Sequence, residues 1–258
     1  MTNYLRKIAG TRFRLRNIIR RYIAPPSPIT PSYMNYFMRR PLTFGIWFNL
    51  RRFKHKILRI PRRYLDTVPL VGDDHVTENV LPYNESLVWK ISRNRTERLL
   101  SVLGTIGGID KNNSKVLCIG PRNEAEVLLM SLYGFDLRKI SAIDLFSYSP
   151  LIDIMDMHEM NFQDNQFDVL YSSYVLRYSN DIRLACSESV RVTKPNGLIA
   201  VAFVHSPTTK PQVGTQLSGG LKEMFHYFGD NVGHIFWQEE LLTESGQMVC
   251  TSIFSVSK

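Results

Sequence analysis

A chain of 258 residues with 44% hydrophobic content can bury one packed α/β domain and carry an appendage, and its three widely spaced cysteines, Cys118, Cys186 and Cys250, exclude a disulfide framework. The formal charge of +9 is divided unevenly: residues 1–65 hold 16 of the 32 Lys and Arg and no acid, so the other 16 bases face all 23 Asp and Glu. No uncharged apolar run approaches the ~18 residues of a membrane span; the longest is the ten from Pro41 to Leu50, and Arg12, Arg14 and Arg16 interrupt any secretory signal core.

Residues 4–23 place Leu5, Ile8, Leu15, Ile18, Ile19, Tyr22 and Ile23 at helical spacing with arginines between them. Pro25, Pro26, Pro28 and Pro31 end that helix in a stiff connector. A second stripe, Ile46, Leu50, Phe53, Ile57, Ile60 and Tyr64, is spaced 4, 3, 4, 3, 4, and Pro61 breaks or kinks its last turn. Arg51, Arg52, Lys54, Lys56, Arg59 and Arg63 fill the other face. A basic amphipathic helix of this kind binds a membrane surface or a partner, or else packs its stripe on the following domain with its charges solvated. The Arg-rich, acid-free first 23 residues also fit a mitochondrial presequence, although the basic character runs on through residue 63. Residues 1–85 are therefore expected to form a basic, proline-interrupted helical extension. An anionic membrane surface is the expected partner of residues 1–65, and the expected location is cytoplasmic, peripheral at the inner membrane surface.

From Ser86 to Leu103 a helix is expected, with Leu87, Ile91, Leu99 and Val102 inward, closed by Gly104, Gly107 and Gly108. Strands and helices then alternate: strand 115–120, helix 123–133, strand 139–145, a short strand near 152–155, strand 167–173, helix 181–193 and strand 197–204. This rhythm builds βαβ units and a parallel sheet. His234–Gln238 and Val249–Val256 are β-rich runs around the turn residues Ser245 and Gly246, which predicts an antiparallel hairpin. Between strand and hairpin, residues 205–231 read as a long insertion around Met224–Phe228, suited to an acceptor-binding lid.

The order of K-V-L-C-I-G at 115–120, K-I-S-A-I-D-L-F at 139–146, M-D-M-H-E-M-N-F-Q-D-N-Q-F-D at 155–168 and R-V-T-K-P-N-G at 191–197 resembles the class I S-adenosylmethionine (SAM)-dependent methyltransferases. The likeness is to the subgroup whose fingerprint is G-D-x-x-x-L-P-F-x-D-x-S-F-D followed by R-V-L-K-P-G-G. It covers roughly residues 86–258 and implies a Rossmann-like α/β sheet, mostly parallel, with a C-terminal antiparallel hairpin. Met155 stands for the subgroup's glycine and Asn161 for its proline.

The resemblance also implies where SAM lies. Cofactors of such sheets bind at the carboxyl ends of the first strands. Gly120 ends the first strand, and Arg122 is placed to pair with the methionine carboxylate. Asp144, 24 residues after Gly120, closes the second strand, where an acid accepts both ribose hydroxyls, with Leu145 beside it. Asp156 falls where the subgroup's acid meets the adenine amino group, Met157 would pack on the ring, and Ser173 lies at the reaction centre after the fourth strand. Asp164 and Asp168 read as turn and capping residues, and Tyr178 stands where the subgroup has histidine. His205, just after the fifth strand, is the first candidate for a general base and His158 the second. No metal-ligand spacing is apparent.

After the fourth strand the chain has Ser172-Ser173-Tyr174, neither an N-P-P-Y tetrapeptide for amide or base nitrogens nor a cysteine for pyrimidine attack. An oxygen acceptor remains, and the resemblance, to a subgroup rich in small-molecule and sugar methyltransferases, makes O-methylation of a sugar, glycan or glycolipid precursor the expected reaction. A nucleic-acid methyltransferase that holds phosphates with the basic arm, and a methyltransferase-fold scaffold without activity, are the alternatives.

Overall fold

A computed structural model describes residues 40–57, 63–64, 90, 93–205, 217, 219–244 and 246–258. The expected helix at 4–23, the proline connector, Ile60, the helix start at Ser86, the boundary at 85/86 and residues 206–216 of the expected lid lie outside the described residues.

The core is a seven-stranded sheet in the order β5–β3–β2–β6–β7–β9–β8. Its members are β2 (Val116–Ile119), β3 (Ile140–Asp144), β5 (Asp153–Ile154), β6 (Phe167–Ser173), β7 (Thr193–His205), β8 (Val232–Leu242) and β9 (Met248–Val256). The first five run parallel, and β9 is antiparallel to both β7 and β8. Every residue of β2 is buried, as a strand covered on both faces requires. The chain leaves β2 toward β3 and β5 on one side and returns to β6 and β7 on the other. The crevice between β2 and β6 is therefore the topological switch point, where ligands of open α/β sheets bind.

Alternation along the strands feeds two cores. Val116, Cys118, Val169, Tyr171, Ala200 and Ile253 face helices α1 (Pro41–Ile57), α2 (Arg93–Leu103) and α3 (Glu124–Leu132). Leu117, Ile119, Leu170, Ile199, Val201 and Phe254 face α4 (Ile182–Val192) and α5 (Gly220–Phe228). Helix α2 turns Leu99, Leu100 and Leu103 inward, with Val102 at the margin of the core, and Tyr171 Oη donates to the Thr96 carbonyl at 2.9 Å. The three cysteines are free thiols, all buried.

Helix α1 spans Pro41–Ile57, and Arg63–Tyr64 form a short strand, β1, antiparallel to β4 (Phe146–Ser147), in keeping with the break expected from Pro61. One expectation changes here. Met224 and Phe228, assigned to a lid, are 0% and 2% exposed in the α4–α5 core, so this segment is a structural helix covering the sheet.

Candidate functional site

The carboxyl ends of β2, β3, β5, β6 and β7 carry the expected site residues. Gly120 follows β2 with φ of +65°, and its amide donates to the Ile143 carbonyl at 2.8 Å. A Cβ there would stand 2.3 Å from Val175 Cγ2, so a glycine is required for the β6 loop to close over β2. Helix α3 starts at once after it. Asn123 caps it by accepting the Ala125 amide at 2.9 Å, and Glu124 and Glu126 in its first turn complement the helix dipole. Arg122 lies in this loop, its amide donating to Glu126 Oε1 at 3.1 Å.

Asp144 is the last residue of β3 and half-buried; its Oδ1 accepts the Leu145 amide at 2.7 Å. It pairs with Ile154 of β5, which sets Asp156 and Met157 two and three residues farther along the same edge of the sheet. Asp156 holds His158 twice, accepting its amide at 2.9 Å and its Nδ1 at 2.6 Å. The other ring nitrogen, Nε2, lies 2.7 Å from Oγ of Ser179, itself buried in the loop after β6. Burial pushes the Asp156 carboxyl up, but the His158 side chain, amide and charge together pull it below its ordinary value. This Asp156–His158–Ser179 chain ties the loop after β5 to the loop after β6.

Ser173 ends β6 and is buried, and Tyr174 follows at φ of +64°. Ser172 Oγ is buried with no hydrogen-bond partner. His205 ends β7 opposite Met248 of β9, and its Nδ1 is likewise buried without a partner. Gly220 makes room for it: φ is +65°, and a Cβ there would lie 3.4 Å from His205 Nε2 and 2.4 Å from Glu240 Oε1. Glu240 Oε1 accepts the Leu221 amide at 2.7 Å, fixing the start of α5 beside the histidine.

The structure thus gathers Gly120, Arg122, Asp144, Leu145, Asp156, Met157, His158 and Ser173 at one end of the sheet, and His205, the last residue of the parallel strand β7, stands at the same end beside the start of α5. Asp164 and Asp168 do serve structure, in ion pairs with Arg191 at 2.8 Å and Lys194 at 2.5 Å. Sequence reasoning missed three participants. Ser179 carries no periodic signal. Glu240 looks like an ordinary acid on an exposed strand. Glu124 is 0% exposed, accepts Arg51 Nε at 2.9 Å and takes the Ser149 hydroxyl at 2.7 Å, although an acid in a first helical turn is ordinarily solvated.

The donor set fits SAM: a carboxylate for vicinal hydroxyls at Asp144, thioether surface at Met157 for an aromatic ring, and a guanidinium at Arg122 for a carboxylate. The buried, unpartnered Ser172 Oγ and His205 Nδ1 are polar atoms that a ligand at this end of the sheet would satisfy.

Residues 123–201 match the model of a family described as a methyltransferase domain. Over 199 residues, 69% of this chain, the sequence is 27% identical to the demethylmenaquinone methyltransferase of Corynebacterium glutamicum strain R and spans 80% of that protein. It spans about three fifths of two further Corynebacterium proteins of that name, at 29% identity. Among solved structures, a 1,6-didemethyltoxoflavin N1-methyltransferase of Burkholderia thailandensis with bound S-adenosylhomocysteine superposes with a TM-score of 0.53, at 12% identity, covering 76% of this chain and 99% of that one. The N-methyltransferase NodS of Bradyrhizobium japonicum with the same ligand gives 0.52 at 15% identity, covering 70% and 100%. The fold is the Rossmann-like methyltransferase fold, and the chain is similar in sequence to methyltransferases over residues 123–201.

Proposed function

We propose that this chain is a SAM-dependent methyltransferase that acts on an acceptor bearing an ionisable hydroxyl, and that His205 removes the hydroxyl proton. The carrying observation is the His205 ring nitrogen, Nδ1, buried at the end of β7 with no partner of its own. An imidazole nitrogen buried without a partner at the carboxyl end of a methyltransferase sheet is free to accept a proton from a hydroxyl placed against it.

SAM, when bound, supplies the electrophilic methyl carbon. Asp144 would receive its ribose hydroxyls, Leu145 and Met157 would flank its adenine, Asp156 would accept from the adenine amine, Arg122 would pair with its carboxylate, and Gly120 and Ser173 would lie against it. His158, held between Asp156 and Ser179, keeps the two loops in register and acts on a substrate only through Ser179. Orientation and deprotonation are then the protein's whole share of an in-line transfer.

The names of the relatives favour a quinone-derived ring as the acceptor, since a deprotonated ring hydroxyl makes the ring electron-rich enough to take a methyl group. O-methylation of a sugar or glycolipid headgroup, expected from the sequence, asks the same of His205. Incubation of the full chain with tritium-labelled SAM and, separately, a reduced demethylated quinone, a glycolipid extract and RNA distinguishes these. Label in the quinone supports the first reading and label in the glycolipid the second. Label in RNA alone removes both.

A further inference from the structure

Helix α1 has two apolar faces, of which only one is used. Phe44 and Phe48 are fully buried in the core under the sheet, stacked at 6.3 Å between ring centroids, and Trp47 packs edge-on to Phe44 at 5.7 Å. Arg51 continues this face into the ion pair with Glu124. The opposite face carries Leu42, Ile46, Leu50, Phe53 and Ile57, each between 55% and 74% exposed. With about 100° between successive helical residues, these five fall within an arc of about 80°. The buried anchors prevent the helix from rolling to hide them. Five large apolar side chains in one exposed row mark an interaction surface.

We infer that α1 is an interfacial docking helix that lays this row into the headgroup boundary of an anionic phospholipid bilayer. Charge selects this occupant. Arg52 and Lys54 are exposed on the two flanks of the row, where long cationic stems reach phosphates while their methylenes lie along the apolar surface. No acid occurs anywhere in residues 1–65, among 16 bases, so the segment that carries the row offers a negative surface only positive charge, whereas a protein partner of mixed charge would be matched by charges of both signs. At 17 residues the helix is about 25 Å long, suited to lying in the interface plane, and no described helix is long and apolar enough to cross a membrane. Through Arg51 and Glu124, α1 sits at the end of the sheet that carries Gly120, so docking brings that end to the lipid surface. The inference holds whether or not the acceptor is lipid-borne.

The test is flotation of the full-length protein with vesicles of phosphatidylcholine alone and of phosphatidylcholine mixed with phosphatidylglycerol, for the unmodified chain and for Leu50→Ser/Phe53→Ser. The unmodified chain is expected to float with the anionic vesicles, and less as salt rises from about 0.1 M to about 1 M and screening shortens from about 10 Å to about 3 Å. The double variant is expected to bind at least about tenfold more weakly, with melting temperature and SAM affinity unchanged because both side chains are exposed. Equal flotation of the variant, or no preference of the unmodified chain for anionic vesicles, overturns the inference. A lower melting temperature in the variant also overturns it, by showing that the row is covered by the chain's own residues or by a second copy.

Discussion

Arg51 reaches from the N-terminal helix to Glu124 with two bonds, Nε to Oε1 at 2.9 Å and Nη2 to Oε2 at 3.2 Å, and Glu124 is wholly buried four residues beyond Gly120. The bond therefore joins α1 to the first turn after the glycine loop. Removing the guanidinium would take from the buried Glu124 carboxylate its charged partner and leave it the Ser149 hydroxyl, which donates at 2.7 Å. Arg51→Met is expected to cost about 3–5 kcal/mol, measured by chemical unfolding. SAM affinity should fall as well, because α3 anchors the far side of the Gly120 loop.

Asp156 gives a pH signature. Its carboxyl lies below its ordinary value: burial works against this, and the bonds and charge of His158 outweigh it. A carboxyl lowered on folding contributes stability that is present above the unfolded pKa, near about 3.9, and is lost as pH falls through the folded value. Asp136 and Glu188 are lowered too, each against its own burial, by Arg138 and Arg191. Melting temperature should therefore drop below about pH 4, and Asp156→Asn should melt lower at neutral pH while losing less on acidification than the unmodified chain. Identical acid profiles would disconnect the Asp156–His158 pair from stability.

Arg191 tests the motif rather than the chemistry. Its guanidinium binds Glu188 at 2.6 and 2.8 Å, Asp164 at 2.8 Å, and the Phe162 and Met160 carbonyls at 2.8 Å each. It clasps helix α4 to the loop between β5 and β6. Arg191→Met is expected to lose about 2–4 kcal/mol of stability with little change in turnover per folded molecule.

Much of this architecture is legible in the sequence because buried parallel strands leave continuous apolar runs. Strand 167–173 coincides with β6, and the runs at 116–119 and 140–144 lie within the expected bounds. Arg191 and Asp168 are readable as motif letters, yet what they do is structural: Asp168 accepts the Lys115 amide at 2.8 Å and pairs with Lys194. Strand β7 starts four residues earlier than expected, because Thr193 pairs with Phe167 ahead of the K-P-N-G turn that periodicity takes as its boundary. Helix α1 shows the limit of pattern reading. Phe44, Trp47 and Phe48 make one apolar face and Ile46, Leu50 and Phe53 another, and spacing alone does not say which one the fold buries. The site partners Ser179, Glu124 and Glu240 come together only through long-range pairing of loops that no local period records.

Asp144 carries the cofactor claim. Asp144→Ala is expected to weaken SAM binding by about 1–3 kcal/mol through the loss of charged-acceptor hydrogen bonds, measured by calorimetry on the full chain. An unchanged affinity would remove Asp144 from the ribose site and shift attention to Asp153 and Asp156 on the neighbouring edge.

His205 carries the proposed chemistry, and the single-turnover rate of methyl transfer reads it most directly. With SAM and acceptor both saturating, His205→Asn is expected to slow transfer by about 10²-fold or more, with the affinity for SAM unchanged. A variant that transfers methyl groups as fast as the unmodified chain would contradict the assignment of His205 as the base.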